Sequence, residues 1–191
     1  MKGFKEYIKK FGNIKEDIFI EVKANYKQTY LPKKELFSKE GEYARKVGFL
    51  EKGIIRAFVR NYEGKEYTKQ FFCGPSVIGA YTSLLTNQPN KIIQQALTDC
   101  TIWVADYAKI VALYDRYHEM ERIGRKIAEY YYLEKEKNLV EMAVYDADKR
   151  YLILKERFPN IESQIQQYHI ASYLGVSPTQ LSRIRKKMQN S

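Results

Sequence analysis

The stretch from Gln167 to Lys187 constrains the chain more than any other part of it. Ile170, Ala171 and Leu174 give a short helix one apolar face, and Ala171 is small enough for a second helix to cross closely. Gly175 follows, a residue suited to leaving a helix through positive φ. Ser177 then offers a hydroxyl to a free backbone N–H, and Pro178 is preset for the first helical position. Leu181, Ile184 and Met188 supply the second helix with an inward stripe. The pattern predicts a helix-turn-helix. Its outward face carries Thr179, Gln180, Ser182, Arg183 and Lys186, side chains that reach base edges or phosphates in a DNA major groove. The plainer reading is two surface helices with a solvated basic side. Against it stands the register in which small residue, glycine turn, serine cap, proline and basic stripe all occur.

Charge adds weight by its position. The net charge of +10 describes many soluble proteins as well as binders of polyanions. Arg183, Arg185, Lys186 and Lys187, however, have no acidic neighbour in sequence, so positive potential gathers on the predicted recognition helix. Cys73 and Cys100 are far apart, lie in apolar stretches and have no metal-ligand spacing, so they are expected as buried free thiols. No metal site is predicted. The amino terminus lacks the apolar region of a secretion signal and no run is long enough to span a bilayer, which predicts a cytoplasmic protein without membrane contact. Enzyme classes find no support. The two histidines, His118 and His169, lie outside the central region, and no phosphate-cradling loop, dinucleotide fingerprint or nucleophile elbow is present.

The remaining text divides clearly. Phe4, Tyr7, Ile8 and Phe11 stand at helical spacing, predicting an opening helix over about 2–13. Up to about Ala105, short β-rich stretches (43–50, 54–60, 66–72 and 92–97) alternate with turn signals such as Lys52-Gly53, Asn61 to Lys65 and Cys73-Gly74-Pro75. Many short strands predict an antiparallel sandwich or barrel. Helical spacing returns around Tyr107 to Tyr114 and again from about Glu119 to Tyr145, where Met120, Ile123, Ile127, Tyr131 and Leu139 share one broad side. Such a helix either lies on its own barrel or pairs with a second copy, and its length favours a homodimer through residues 119–145. Glu134 to Asn138 interrupt that seam. A polar stretch, Tyr145 to Arg150, is the expected hinge, with Asp146 or Asp148 capping a helix that contains Tyr151, Leu152, Leu154 and Phe158.

This order of elements resembles the superfamily of the cyclic-AMP receptor protein and the fumarate-nitrate reductase regulator, bacterial transcription regulators, over nearly the whole chain. The likeness rests on Glu63-Gly64-Lys65-Glu66 in a hairpin, on Phe72 to Gly79 leading into the place of the phosphate-binding cassette, and on Ile170 to Ser177 with Leu181-Ser182-Arg183. It implies an α+β fold: a double-stranded β-helix, or jelly roll, over 1–115, a dimerisation helix over 116–145, and a helix-turn-helix domain over 146–191. The function implied is sequence-specific DNA binding by a homodimer, with double-stranded DNA and RNA polymerase as partners. The alternative is a ligand-sensing scaffold whose last helices bind a protein.

In the family the β domain holds a cyclic nucleotide with a glutamate on the ribose and an Arg-Ser pair on the phosphate. Here the glutamate's place, after Gly79, is Ala80, the pair falls at Asn90 and Lys91, and the long-helix Thr-Ser that meets the base falls near Lys135 and Glu136. Cyclic AMP binding in the usual manner is therefore not expected, and no cofactor is predicted. A pocket of another kind would involve Gly79, Ala80, Tyr81, Asn90, Lys91 and Tyr131. Iron–sulfur and haem sensing lack ligands. Relatives commonly follow the recognition helix with a β wing, whereas only Met188 to Ser191 follow Lys187, so phosphate contacts are expected from Gln166, Gln167 and Ser177 together with the basic end of the recognition helix.

Overall fold

A computed structural model describes residues 2–189, Lys2 as backbone only, so Met1 and the tail residues Asn190 and Ser191 lie outside the described residues. The chain forms two compact units, Met1–Ala57 with Phe71–Tyr131, and Phe58–Gln70 with Tyr132–Ser191. These units divide the long helix between them and give the tip of one β-hairpin to the carboxy-terminal unit, where the sequence predicted boundaries at 115 and 145.

The first unit begins with α1 (Lys2–Ile8) and α2 (Glu16–Ala24). The second of these was not anticipated. Its Ile18, Phe19 and Val22 are buried, but β-branched and aromatic residues crowded into nine positions resemble strand text. The signal for a helix was the acidic first turn, Glu16 and Asp17, which suits the positive end of a helix dipole. Eight strands follow: β1 (Lys27–Leu31), β2 (Leu36–Ser38), β3 (Lys46–Lys52), β4 (Ile54–Arg60), β5 (Glu66–Cys73), β6 (Ser76–Ile78), β7 (Ile93–Ala96) and β8 (Cys100–Asp106), with α3 (Tyr81–Thr86) between β6 and β7. They make two four-stranded sheets, ordered β1-β8-β3-β6 and β2-β7-β4-β5. In the first sheet β8 pairs antiparallel with β1 and β3, and β3 with β6. This is the expected jelly roll.

Alternation along the strands builds two cores. Leu50, Ile55, Ala57, Phe72, Ile78, Ala96, Cys100 and Ile102 close the space between the sheets. Phe49 and Ala105 point the other way, into a cluster with Phe4, Tyr7, Ile8, Ile18, Phe19, Val22, Ile110, Leu113, Met120 and Ile123. The helices α1, α2, α4 (Tyr107–Arg116) and the start of α5 (His118–Val144) thus cover the outside of the first sheet. A strand such as β3, buried on both faces at Phe49 and Leu50, reads as a continuous apolar run for this reason. The thiols are free: Cys100 is buried, and burial pushes half-buried Cys73 up to about 11.

The apolar side of α5 is spent in two ways. Met120 and Ile123 are buried in the outer cluster with Ile127 against it, and Tyr131 packs on the inner cluster. Gly124 lets Tyr114 approach, since a Cβ there would stand 2.5 Å from the tyrosine hydroxyl. The seam predicted over 119–145 is therefore shortened: its first half serves its own barrel. Beyond it Tyr132, Leu133, Leu139, Val140, Met142 and Val144 are exposed.

In the second unit the end of α5 is followed by α6 (Ala147–Arg157), α7 (Ile161–Gln164), α8 (Gln167–Leu174) and α9 (Pro178–Gln189). Asp146 caps α6 by accepting the Lys149 N–H at 2.8 Å. The expected hinge is stapled. Arg150 donates to the carbonyls of Tyr145 (2.6 Å) and Leu174 (2.9 Å), joining the ends of α5 and α8. Arg157 donates to Glu141 (2.7 Å), to the Tyr173 hydroxyl (3.0 Å) and to Asn138. Tyr151, Leu154, Ile161, Ile165, Ile170, Ala171, Leu174, Leu181 and Ile184 are buried beneath these clamps.

Candidate nucleic-acid interface

The two helices of the helix-turn-helix meet as their residue types dictate. Gly175 adopts φ 69°, a left-handed conformation that a side chain would resist, and the N–H groups of Gly175 and Val176 both close on the Ala171 carbonyl. The Ser177 hydroxyl accepts the Gln180 N–H at 3.1 Å while the Ser177 carbonyl takes the first helical bond, from Leu181 N–H at 3.0 Å. Pro178 is the first residue of α9. Leu181 and Ile184 of α9 are buried, as are Ala171 and Leu174 of α8. The register leaves Thr179, Gln180, Ser182, Arg183 and Lys186 exposed on one side of α9.

The four cations of this helix do not share one task. Arg185 lies 3.0 Å from Glu162, which also accepts the Tyr151 hydroxyl at 2.9 Å, so the guanidinium ties α9 to α6 and α7. Lys187 lies 2.5 Å from Asp148 at the start of α6, and that hydrogen bond raises its pKa above the ordinary lysine value. Arg183 and Lys186 form no ion pair among the described residues. The expectation that all four lack an acidic neighbour is thus corrected for Arg185 and Lys187, whose partners come from 23 and 39 residues away in sequence. A guanidinium one turn into the helix, followed by an ammonium on the same side, remains directed to solvent.

At the start of α8, Gln166 is exposed and makes no side-chain cap bond. Gln167 is half-buried, with its carboxamide oxygen turned inward and unpartnered among the described residues. The hydroxyl of Ser177 is already engaged in capping. Sequence reasoning missed Arg150 and Arg157, which fix α8 against α6 and α5, and Ser172, whose hydroxyl bonds the β5 backbone. Arginines flanking an amphipathic helix read as solvated charge, and nothing short of the tertiary arrangement distinguishes them.

Most of the residues expected to line a pocket in the β domain are engaged elsewhere. Asn90 is buried, donating to the carbonyls of Lys39 (2.8 Å) and Ile92 (2.7 Å) and accepting the Ile92 N–H (3.0 Å). Gly79 gives its carbonyl to the Gln94 carboxamide at 3.1 Å. Ala80 is buried at the start of α3, while Tyr81 is exposed with its ring edge-on to Tyr107. Lys91 is exposed. The Tyr131 hydroxyl accepts the Val77 N–H at 3.0 Å and lies 3.2 Å from the Tyr7 hydroxyl, and burial raises its pKa. Gly79 and Ala80 adjoin Gln94, whereas Tyr131 is engaged with Tyr7 and Tyr81 with Tyr107. Among the described residues no cluster of histidine, cysteine and carboxylate groups is placed to hold a metal ion, and no helix is long and apolar enough to cross a membrane.

Residues 28–117 match the family model of the cyclic nucleotide-binding domain. The solved structures that resemble the chain extend the likeness to nearly its full length. The c-di-GMP responsive global regulator CLP of Xanthomonas campestris is 16% identical, with a TM-score of 0.71 over 92% of both chains. FixK2 from Bradyrhizobium japonicum is 14% identical, with a TM-score of 0.74 over 86% of this chain and 85% of that one. The catabolite activator protein of Thermus thermophilus is 16% identical, with a TM-score of 0.58 over 94% and 86%. No match was found among curated protein sequences. The chain shares the fold of these solved structures, the fold that the resemblance drawn from the sequence implied.

The family model implies a cyclic nucleotide, and the side chains do not fit one held in the family's manner. A buried methyl stands at Ala80 in place of a carboxylate, and the Asn90 amide is used up on backbone groups. Lys91 offers a point charge without the planar fork that grips a phosphate.

Proposed function

We propose that the protein is a sequence-specific DNA-binding transcription regulator that acts as a homodimer, with α9 of each copy in the major groove of one half of a roughly palindromic operator. The observation that supports this reading is the division among the α9 cations: Arg185 and Lys187 are paired with Glu162 and Asp148, while Arg183 and Lys186 stand exposed and unpaired among the described residues beside Thr179, Gln180 and Ser182. A solvated surface helix has no need of that division. Arg183 is suited to guanine O6 and N7, Thr179, Gln180 and Ser182 to other base edges or phosphates, and Lys186 to a phosphate. Gln166, Gln167 and the backbone at Ser177 lie at helix starts, where N–H groups favour a phosphate.

The second half of α5 supplies the dimer contact. Leu133, Val140 and Val144 fall at seven- and four-residue spacing and form one exposed apolar stripe, the kind of surface a second copy covers. The β domain acts without cyclic AMP bound in the usual way, the whole chain functions in the cytoplasm, and RNA polymerase is a partner at the promoter. Selection of duplexes from a random-sequence library, with mass measured on the selected complex, tests the reading. Enrichment of inverted half-sites about ten base pairs apart, bound by two copies, is expected. Enrichment of nothing would leave the last helices as a protein-binding surface.

A further inference from the structure

The tip of the β4–β5 hairpin, Phe58–Gln70, belongs to the same compact unit as the reading head. β5 ends the strand order of its sheet, so one side of it has no strand neighbour. Residues two apart in a strand present their backbone groups to the same side. On that side the Ser172 hydroxyl of α8 donates to the Glu66 carbonyl at 2.9 Å and accepts the Thr68 N–H at 2.9 Å. One side chain thereby satisfies both polar groups of a strand edge that otherwise would be open.

We propose that Ser172 is a positioning residue for DNA reading: its two-way clasp on β5 holds the reading head in one placement on the hairpin before DNA arrives. The placement is compatible with binding, because the clasp uses α8 while Thr179, Gln180, Ser182, Arg183 and Lys186 on α9 stay exposed. Ordering the head in advance removes part of the entropy cost of docking it. The inference rests on the DNA-binding reading above.

Two variants of the full chain test it, Ser172→Ala, which deletes the hydroxyl, and Ser172→Thr, which keeps it. Hydrogen exchange of the Thr68 amide reports the clasp without DNA. Titration of a duplex selected with the unaltered protein, and of a random duplex, reports its effect on reading. Ser172→Ala is expected to speed Thr68 exchange and weaken both duplexes by the same factor, about tenfold for the loss of two modest hydrogen bonds, leaving their affinity ratio unchanged. Ser172→Thr is expected to restore both quantities. Unchanged exchange in Ser172→Ala, or faster exchange with unchanged or tighter DNA binding, overturns the proposal. If the unaltered protein selects no duplex, the DNA-binding reading fails instead, and the exchange arm still judges the clasp.

Discussion

The cassette of the β domain and the outer side of α9 treat polar side chains in opposite ways. Between Gly79 and Gln94 the buried ones are largely turned on the protein itself: Asn90 makes three hydrogen bonds to backbone groups, Ser83 donates to the Gln88 carbonyl at 2.6 Å and accepts the Ala44 N–H at 3.0 Å, and the Gln94 amide closes on Gly79 while its buried oxygen has no partner among the described residues. At the start of α9 and along it, Ser177, Arg185 and Lys187 are used this way, while Thr179, Gln180, Ser182, Arg183 and Lys186 are left to solvent. A segment whose buried donors and acceptors are mostly consumed internally has little left to offer a ligand beyond that one carboxamide oxygen. A rigid helix that keeps a row of donors unspent is prepared for a partner.

The contrast breaks at its first term if Asn90 is dispensable. Asn90→Ala removes three hydrogen bonds and leaves the Lys39 carbonyl and the Ile92 N–H without the amide, while the Ile92 carbonyl keeps the Ser38 hydroxyl, and a stability loss of about 1–3 kcal/mol is expected in denaturant unfolding, with no rescue by added cyclic AMP. Stabilisation of either protein by cyclic AMP would show that the cassette has binding capacity its hydrogen bonds conceal. At the second term, Arg183→Ala is expected to cost about 1–3 kcal/mol on a selected operator and to relax base preference. The smallest effect separates the lysines. Lys186→Ala should weaken operator and random duplex alike and lower the salt slope by about 1, whereas Lys187→Ala, whose partner is Asp148, should leave that slope unchanged. Equal salt slopes in the two lysine variants would dissolve the division among the cations.

Where local chemistry decides, the sequence was legible. Gly175, Ser177 and Pro178 fix the turn between α8 and α9 through positive φ, a cap and a preset dihedral, all within four residues. Asp146 caps α6 for the same kind of reason. Elements whose identity depends on distant neighbours were less so. The helix α2 carries β-branched residues because it lies on the barrel, and β1, β2 and β6 are short segments that become strands by pairing. The apolar side of α5 has helical spacing throughout, but nothing in that spacing says that Met120 and Ile123 meet Phe49 and Phe4 while Leu139 and Val140 stay exposed. The candidate site shows the same division. Which residues face outward on α9 follows from a period of 3.6, whereas the pairing of Arg185 with Glu162 and of Lys187 with Asp148 is set by the fold.

The central claim is that α9 lies in a major groove with Arg183 against a base edge. Methylation interference at guanine N7 tests it most directly, because N7 is displayed only in that groove. On a selected operator the account predicts two clusters of interfering guanines, one per half-site and about one helical turn apart, with one guanine in each cluster losing its effect in Arg183→Ala. An operator bound with no interference at N7, or with a pattern that Arg183→Ala leaves intact, would contradict it.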